Sequence, residues 1–404
     1  MCGISGIINK NGTKVDKEEI QGINDLIAHR GPDDEGFYFE QNFAFGHRRL
    51  SILDLSSDGH QPMHYLHKYV ISYNGEVYNY IEIKEELINS GYIFHSHTDT
   101  EVILASYDKW GEECVNRFNG MWAFAIYDKE KEIIFCSRDR FGVKPFYYTQ
   151  VRDKFVFGSE IKQLLEFYED RYTFFENILK LEQSHNLIYN LKTNSFKIKR
   201  YFDIEFDKEL NNLNEIESIE YIKNNLENAI ELRLRSDVKV GTCLSGGLDS
   251  SSIAAIAAKK YFKKTNERFI AIHAKSIEEK TDESKYAREV AEYCNLDMIE
   301  IEPNLEDIKE NIEEVVYTQE EPFGSPSIIM QYFVMKKAKE IGCTVLLDGQ
   351  GGDETLLGYE RYYPAYLLSL NLWDMIKGFF NSSKNSKLTL KQLIQYFNGW
   401  TYIS

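Results

Sequence analysis

The chain has 404 residues, of which 43% are hydrophobic and 27% charged, a composition typical of globular proteins with two or three domains. Its net charge of −17 argues against a protein that wraps nucleic acid, because phosphate neutralisation needs clustered lysines and arginines. The sequence contains neither a membrane-length apolar run nor a signal-peptide pattern, so we expect a cytoplasmic protein. The six cysteines are scattered without a CxxC pair, which argues against disulfides and a zinc site.

The second residue of the chain, Cys2, invites a chemical interpretation. If Met1 is removed, as a small second residue permits, Cys2 carries both a thiol and a free α-amine. An α-amine with a pKa of about 8 can deprotonate the thiol directly or through a water. One residue would then supply nucleophile and base, but a cysteine at position 2 is weak evidence by itself.

Three further positions each have an ordinary and a functional interpretation. Arg49 lies where an apolar strand begins and is compatible with a surface ion pair. Asn74 and Gly75 form a common hairpin turn, but their amide and N–H groups also suit an oxyanion hole. Asp99 precedes a helical pattern and is a candidate N-cap. Taken singly, these residues favour the ordinary interpretations.

Taken together with Cys2, these segments resemble the glutaminase domain of class II glutamine amidotransferases. The matching motifs in chain order are CGI at 2–4, RGPD at 30–33, HRRLSI at 47–52, NGE at 74–76, SHTDTE at 96–101, GMWAFAIYD at 120–128 and RDRFGVKP at 138–145. The resemblance implies that Cys2 attacks the side-chain amide of glutamine. Ammonia then leaves, and water hydrolyses the thioester.

The same resemblance implies roles for the residues around the nucleophile. Arg49 would bind the carboxylate of glutamine and Asp99 its α-amine. Asn74 and Gly75 would hold the oxyanion, and Glu76 would line the same pocket.

The secondary-structure patterns agree with an N-terminal-nucleophile αββα domain, which we place at residues 1–206. Strand patterns lie at 121–127, 132–137, 146–148, 155–158, 187–191 and 196–199, and helical patterns lie at 80–90 and 100–110. They predict antiparallel sheets covered by helices. A polar linker is expected at 207–214, before an amphipathic helix that opens a second domain at 215–404.

A glycine-rich run, Leu-Ser-Gly-Gly-Leu-Asp-Ser-Ser, occupies residues 244–251 between a strand pattern and a strong helix former. Its glycines allow close approach of a ligand, and the N–H groups at the helix start favour an anion. No lysine follows the second glycine, so the run is not a P-loop of the GxxxxGK[ST] type. Its hydroxyls suit a pyrophosphate, and Asp249 suits a Mg²⁺ bound to it. A purely structural glycine turn is the alternative.

Beyond this run the chain alternates between strand patterns at 269–273, 298–301 and 344–347 and helical patterns at 282–294, 305–317 and 328–341. Alternation of this kind predicts a parallel sheet that binds its ligand at the C-terminal strand ends. A second glycine-rich loop, with Asp348, Gly349, Gln350 and Asp353, follows the last strand pattern. It is either an acidic turn or a metal-facing loop in which Asp353 joins Asp249 on Mg²⁺.

The two halves together resemble glutamine-hydrolysing asparagine synthetases over essentially the whole chain. In that family an ATP-pyrophosphatase-type domain adenylates the side-chain carboxylate of aspartate with ATP-Mg²⁺ and releases pyrophosphate. Ammonia from the first domain travels through an internal tunnel and converts β-aspartyl-AMP to asparagine and AMP. The implied ATP-binding residues are Leu244, Ser245, Gly246, Gly247, Leu248, Asp249, Ser250, Ser251, Ile272, Asp348 and Gly349.

This sequence departs from the family pattern in three places. Asp348 and Gln350 replace a common Ser and Glu; that Glu is implicated in forming the aspartyl-AMP, and a neutral amide cannot act as acid or base. The run at 355–359 replaces a more usual Phe-Gly-Gly-Tyr ending. The chain ends at Ser404, where members usually continue through further helices that include a phosphate-binding lysine. We therefore expect an incomplete synthetase domain or a site that is completed differently.

The function predicted by the resemblance is glutamine-dependent asparagine synthesis, an ATP-dependent carbon–nitrogen ligation. One alternative is a related amidotransferase with another carboxylic acid as acceptor, and a second is a truncated chain that retains only glutaminase activity and nucleotide binding. Amidotransfer to a nucleotide or sugar phosphate is disfavoured by the adenylating loop. The expected partners are glutamine, ATP and aspartate, not nucleic acid or membrane. The oligomeric state stays open, with a homodimer as one expectation.

Overall fold

The computed structural model describes residues 1–168, 176–276, 282–356, 358, 359, 362–385 and 391. The chain divides into two compact units, one formed by Met1–Val240 and Pro303–Val345 and the other by Gly241–Glu302 and Leu346–Ser404. Within the described ranges, no helix combines the length and the hydrophobicity that a membrane span requires.

The described part of the first two hundred residues forms a strand-rich domain. Its strands are β1 (Gly3–Asn9), β2 (Asp34–Phe39), β3 (Phe43–Arg49), β4 (Met63–Tyr65), β5 (Tyr69–Val77), β6 (Gly120–Asp128), β7 (Ile133–Arg138), β8 (Tyr147–Val151), β9 (Lys154–Gly158), β10 (Ile178–Lys180), β11 (His185–Asn190) and β12 (Ser195–Arg200). Its helices are α1 (Lys17–Asp25), α2 (Tyr80–Ile88), α3 (Asp99–Trp110) and α4 (Ile161–Leu165).

These strands form two six-stranded sheets with the orders β10-β8-β9-β1-β3-β2 and β12-β11-β7-β6-β5-β4. Strand pairs such as β1 with β3 and β5 with β6 are antiparallel. β1 and β7 are buried along their whole length, because each sheet has a core on both of its faces.

Three apolar clusters show how the layers stack. The cluster between the sheets is rich in aromatic rings and includes Phe43, Phe155 and Tyr189. A second cluster packs α2 and α3 on the outer face of one sheet, and a third packs α1 and α4 on the outer face of the other. The predicted αββα arrangement is therefore confirmed.

The rest of the chain alternates between helices and short strands. The elements are α5 (Glu215–Arg233), β13 (Val240–Cys243), α6 (Leu248–Thr265), β14 (Ile270–Ala274), α7 (Ser284–Tyr293), β15 (Asp297–Ile301), α8 (Leu305–Gln319), α9 (Ser327–Glu340), β16 (Val345–Leu347), α10 (Gly352–Thr355), α11 (Tyr363–Ser369) and α12 (Leu372–Asn385). The four strands form one sheet in the order β15-β14-β13-β16, and β14 pairs in parallel with both β13 and β15. The predicted parallel sheet is confirmed.

A buried carboxylate, Glu160, ties the region around the N-terminus to α4. Its oxygens lie 3.0 Å from His29 Nε2, 2.9 Å from Arg30 Nη1 and 2.7 Å from Lys162 Nζ. Burial alone would raise the pKa of Glu160, but hydrogen bonds from His29, Lys162 and Arg30 and the charge of Arg30 lower it to about 2. Arg30 also donates from Nε to the carbonyl of Cys2 at 2.9 Å, so this cluster helps to position the nucleophile.

Glu160→Gln is expected to lower the free energy of unfolding by about 3–5 kcal/mol, because it leaves the largely buried Arg30 without its counter-ion, although Lys162 keeps Glu320 at 3.5 Å. The stabilisation is fully present above the ordinary glutamate pKa of about 4.3 and is lost as the pH falls through the folded value of about 2. Urea unfolding should therefore show a smaller difference between wild type and variant at pH 3 than at pH 7. The exposed Glu166 provides the control Glu166→Gln, and a difference independent of pH would contradict the assignment.

Candidate active sites

The nucleophile candidate, Cys2, immediately precedes β1 and lies beside the end of β3. Its Sγ accepts a hydrogen bond from Leu50 N at 3.3 Å and lies 3.6 Å from Leu50 O. Burial raises the pKa of the Cys2 thiol, and the hydrogen bond with the Leu50 backbone opposes this shift. The thiol therefore needs a nearby base or cation before it becomes a good nucleophile.

A small pocket adjoins the thiol and contains most of the residues predicted for it. Besides Cys2, it is lined by Arg49, Gly75, Glu76 and Asp99. These side chains come from β3, β5 and α3, so the fold brings together segments that are up to 97 residues apart, from Cys2 to Asp99.

The oxyanion-hole candidates lie inside a strand. Asn74 and Gly75 pair with Ala123 and Trp122 in the middle of β5 and β6, so the hairpin-turn interpretation is wrong. Asn74 is buried, and its Nδ2 has no hydrogen-bond partner among the described residues. A buried donor without a partner costs about 1–3 kcal/mol, which is expected where a ligand oxygen completes the contact.

Asp99 and Arg49 also differ from their ordinary interpretations. The N-cap of α3 is Thr98, and Asp99 accepts hydrogen bonds from Tyr73 OH at 2.7 Å and Val77 N at 2.8 Å. Burial raises the pKa of Asp99 to about 6, and the hydrogen bonds oppose the shift.

Arg49 is buried rather than paired with a surface carboxylate. Its guanidinium donates to the carbonyls of Leu53, Asp54 and Ser56, which fix its orientation without neutralising its charge. Glu76 differs again, because burial and the neighbouring Asp99 raise its pKa well above the usual range. The pocket thus combines a fixed cation with two carboxyl groups whose pKa values are raised by burial.

The glycine-rich run links β13 to α6, as predicted. Gly246 has φ +95°, and a Cβ there would lie 2.8 Å from Glu283 O, so the position requires glycine. Gly247 is the N-cap of α6, and Leu248 is exposed in its first turn. The start of the helix therefore has no side-chain cap, an arrangement that suits a phosphate oxygen.

The serines of this loop divide into two groups. Ser245 and Ser250 bond to each other through their hydroxyls at 2.8 Å, and Ser245 Oγ accepts from Gly247 N at 3.2 Å. Ser251 Oγ is buried and has no hydrogen-bond partner among the described residues. One pair of serines therefore shapes the loop, and the third has its bonding capacity left for a ligand.

The loop after β16 packs against the first loop. A Cβ at Gly352 would lie 2.4 Å from Asp249 Oδ2, and one at Gly349 would lie 3.0 Å from Ser250 N. Gln350 is exposed, and its N–H donates to Asp348 Oδ1 at 3.2 Å. The two predicted loops are thus brought together around Asp249.

The protein side chains of these loops would fill only part of the coordination shell of Mg²⁺, and a bound substrate would have to supply further ligands. Within the described ranges, no group of three or more His, Cys, Asp or Glu side chains forms a metal site. The Asp249 carboxylate accepts no hydrogen bond from these residues, so its oxygens are available, and pyrophosphate and water would supply the remaining ligands. Asp353 follows Gly352 at the start of α10 and stays a predicted second ligand.

The sequence did not identify the residues that anchor the glycine-rich loop at 244–251. Leu244 N donates to Ile272 O at 2.9 Å, and His273 Nδ1 lies 2.7 Å from Leu244 O. His273 Nε2 in turn lies 2.8 Å from Ser284 Oγ. In the sequence, His273 stands out only as a polar residue at the end of an apolar strand pattern. Its contacts with Leu244 and Ser284 could be seen only in the folded chain.

Comparisons with known proteins identify both halves of the chain. Residues 1–202 match the model of a glutamine amidotransferase domain, and residues 221–402 match that of asparagine synthase. A putative glutamine-hydrolysing asparagine synthetase of Methanocaldococcus jannaschii is 38% identical over 91% of this chain and 77% of its own length. Asparagine synthetases 1 and 3 of Bacillus subtilis are 33% and 32% identical over 93% and 98% of this chain. This chain spans 61% and 70% of their lengths. The chain therefore belongs to the family of glutamine-hydrolysing asparagine synthetases, which are ATP-dependent amidotransferase ligases.

Proposed function

We propose that this chain hydrolyses glutamine at Cys2 and uses the ammonia for ATP-dependent amidation of aspartate to asparagine. The observation that carries the proposal is the presence, on one chain, of a thiol pocket and a glycine-rich loop, each with a neighbouring or included buried polar atom that has no hydrogen-bond partner among the described residues. These atoms are Asn74 Nδ2 and Ser251 Oγ. Asn74 precedes Gly75 of the thiol pocket and would hold an amide oxyanion, and Ser251 belongs to the loop that would bind pyrophosphate.

The glutaminase reaction follows from the pocket. Cys2 Sγ attacks the amide carbon of glutamine, and its proton passes to the α-amine that removal of Met1 exposes. Asn74 Nδ2 and Gly75 N–H stabilise the oxyanion, and the protonated amine returns its proton to the departing ammonia. Water then hydrolyses the thioester to glutamate.

The same pocket has the charges needed to select an α-amino acid. The Arg49 guanidinium, oriented by three carbonyls, binds the α-carboxylate. Asp99, with a pKa of about 6, is ionised at neutral pH and binds the α-ammonium group. Glu76, whose pKa burial raises, lines the same pocket and adds a hydrogen-bonding group.

The synthetase reaction follows from the two loops. The aspartate side-chain carboxylate attacks the α-phosphorus of ATP, pyrophosphate leaves towards residues 245–251, and ammonia then displaces AMP from the acyl carbon. Leu244 and Ile272, joined by a backbone hydrogen bond, and Asp348 with Gly349 would line the nucleotide. Bound Mg²⁺ neutralises pyrophosphate charge, and Asp249 with Asp353 would hold it.

A second candidate function is amidation of a different carboxylic acid. The observation that favours it is Gln350, an exposed neutral amide in the loop after β16. An amide can orient an acceptor, but it cannot transfer a proton during adenylation. The acceptor is therefore the least constrained part of the proposal.

A product assay tests the proposal. The full chain is incubated with glutamine, ATP-Mg²⁺ and each acid of a panel of carboxylic acids in turn. Aspartate is expected to be the one acid that is amidated, giving asparagine, AMP, pyrophosphate and glutamate. ATP–pyrophosphate exchange should depend on aspartate in the same way. Exchange with another acid would establish the second candidate, and glutamate formation without any exchange would reduce the activity to glutamine hydrolysis.

The boundaries at 206 and 215, a cytoplasmic location and a homodimer stay predictions.

A further inference from the structure

Lys144 is a buried cation close to the thiol pocket that the reaction above does not use. It lies in the segment between β7 and β8, and only 4% of its surface is exposed. Its Nζ contacts Met1 Sδ at 2.9 Å, and no carboxylate of the described residues lies within ion-pair distance of it. The polar contact of Lys144 is thus with the residue that must leave before Cys2 can act through its own amine.

The fold fixes the backbone of Lys144 on both sides. Its N–H donates to Asp139 Oδ2 at 2.9 Å, and its carbonyl accepts from Arg138 Nε at 2.8 Å. Asp139 also accepts hydrogen bonds from the N–H groups of Phe141 and Val143. The connection is therefore a rigid turn that directs the Lys144 side chain towards the N-terminus.

An ammonium group in this position is unfavourable for stability. Burying a cation without a counter-ion costs several kcal/mol, and an apolar side chain of similar volume would pack there without that cost. Burial and Arg30 lower the pKa of Lys144 to about 8, although the charges of Glu76, Cys2 and Asp139 oppose the shift. Lys144 thus still carries its charge at neutral pH.

The charge of Lys144 acts on the thiol that must lose its proton in the reaction. Burial raises the pKa of the Cys2 thiol, and Lys144 is one of the charges that oppose the shift. A positive charge nearby favours the thiolate over the thiol.

We propose that Lys144 is a positioning residue for the nucleophile, whose ammonium faces Cys2 once Met1 is gone and stabilises the negative charge that Sγ acquires as its proton passes to the α-amine. This inference rests on the glutaminase half of the proposed function. It gives a reason for the buried charge that packing does not provide. It also assigns to Met1 a contact that blocks the site until the residue is removed.

Lys144→Met and Lys144→Arg provide the test, since the first removes the charge at similar volume and the second keeps it. In Lys144→Met, kcat/KM for glutamine hydrolysis at pH 7 is expected to fall about tenfold. The acid limb of the profile of kcat/KM against pH should move to higher pH by about one unit. KM should change little, because Arg49 and Asp99 hold the substrate. Lys144→Arg should keep the acid limb, and its alkaline limb should move to higher pH because arginine stays charged.

The pH dependence of Cys2 alkylation by iodoacetamide is the second readout. It requires no turnover, so a protein without glutaminase activity would overturn the proposed function and still leave the role of Lys144 measurable. Mass spectrometry should confirm that Met1 is absent, and circular dichroism that each variant is folded. A folded Lys144→Met with the alkylation and rate profiles of wild type would overturn the inference. If Lys144→Met does not fold, the inference would be overturned by a Lys144→Arg protein whose pH–rate profile has its alkaline limb at the wild-type pH.

Discussion

Cys2→Ala is expected to abolish glutamine hydrolysis, with a loss in kcat on the order of 10⁴-fold or more. In the proposed mechanism the thiol is the nucleophile, and the α-amine that activates it belongs to the same residue. Two other cysteines of the same unit, Cys114 and Cys136, are fully buried in the core, so they cannot replace it. Glutamate formation measured by mass spectrometry gives the rate directly.

The same substitution should leave amide synthesis from added ammonium chloride intact, because ammonia enters the reaction after the glutaminase step. Cys294→Ala removes a half-buried cysteine from the other unit and should leave both activities unchanged. A Cys2→Ala protein that retains more than about one hundredth of the glutaminase activity would refute the nucleophile assignment.

Local patterns were sufficient to predict most of the elements that carry these sites. The strand predicted at 121–127 is Gly120–Asp128, and the helix predicted at 328–341 is Ser327–Glu340. Both have apolar residues at intervals that depend only on the neighbouring sequence. The loop at 244–251 was likewise placed correctly between a strand and a helix, because glycines after an apolar strand mark such a connection.

The contacts that give the site residues their chemistry could not be predicted in this way. Considered locally, Asn74 with Gly75 favours a turn and Asp99 favours a helix cap. In the folded chain Asn74 lies in a central strand, and Asp99 is held by Tyr73 and Val77. These partners are 26 and 22 residues away along the chain, so tertiary packing decides the outcome.

Lys144 shows the same limit for a residue inside a recognised motif. The run at 138–145 supports the family resemblance, but nothing in it indicates that the lysine side chain is buried beside Met1. That orientation depends on the hydrogen bonds between Asp139, Arg138 and the Lys144 backbone. A resemblance can therefore transfer a motif without revealing which of its side chains act on the reaction.

Asp249→Asn is expected to lower the rate of aspartate-dependent ATP–pyrophosphate exchange by about 10²- to 10³-fold, with glutamine hydrolysis unchanged. The Asp249 carboxylate lies against Gly352 and accepts no hydrogen bond from the described residues, so an amide of the same shape would remove charge without breaking a contact. Exchange should also require a higher Mg²⁺ concentration in the variant, because the metal loses an anionic ligand.

The matched control for this prediction is Asp297→Asn, since Asp297 is an exposed carboxylate on β15 of the same unit. It removes the same charge from the unit as a whole, so a general electrostatic effect would appear in both variants. A loss confined to Asp249→Asn, together with the higher Mg²⁺ requirement, would locate the metal at the loop. Equal exchange rates at every Mg²⁺ concentration in wild type and Asp249→Asn would show that the carboxylate has another role. In that case Asp353, on the adjoining loop, would be the first residue to test as the metal ligand.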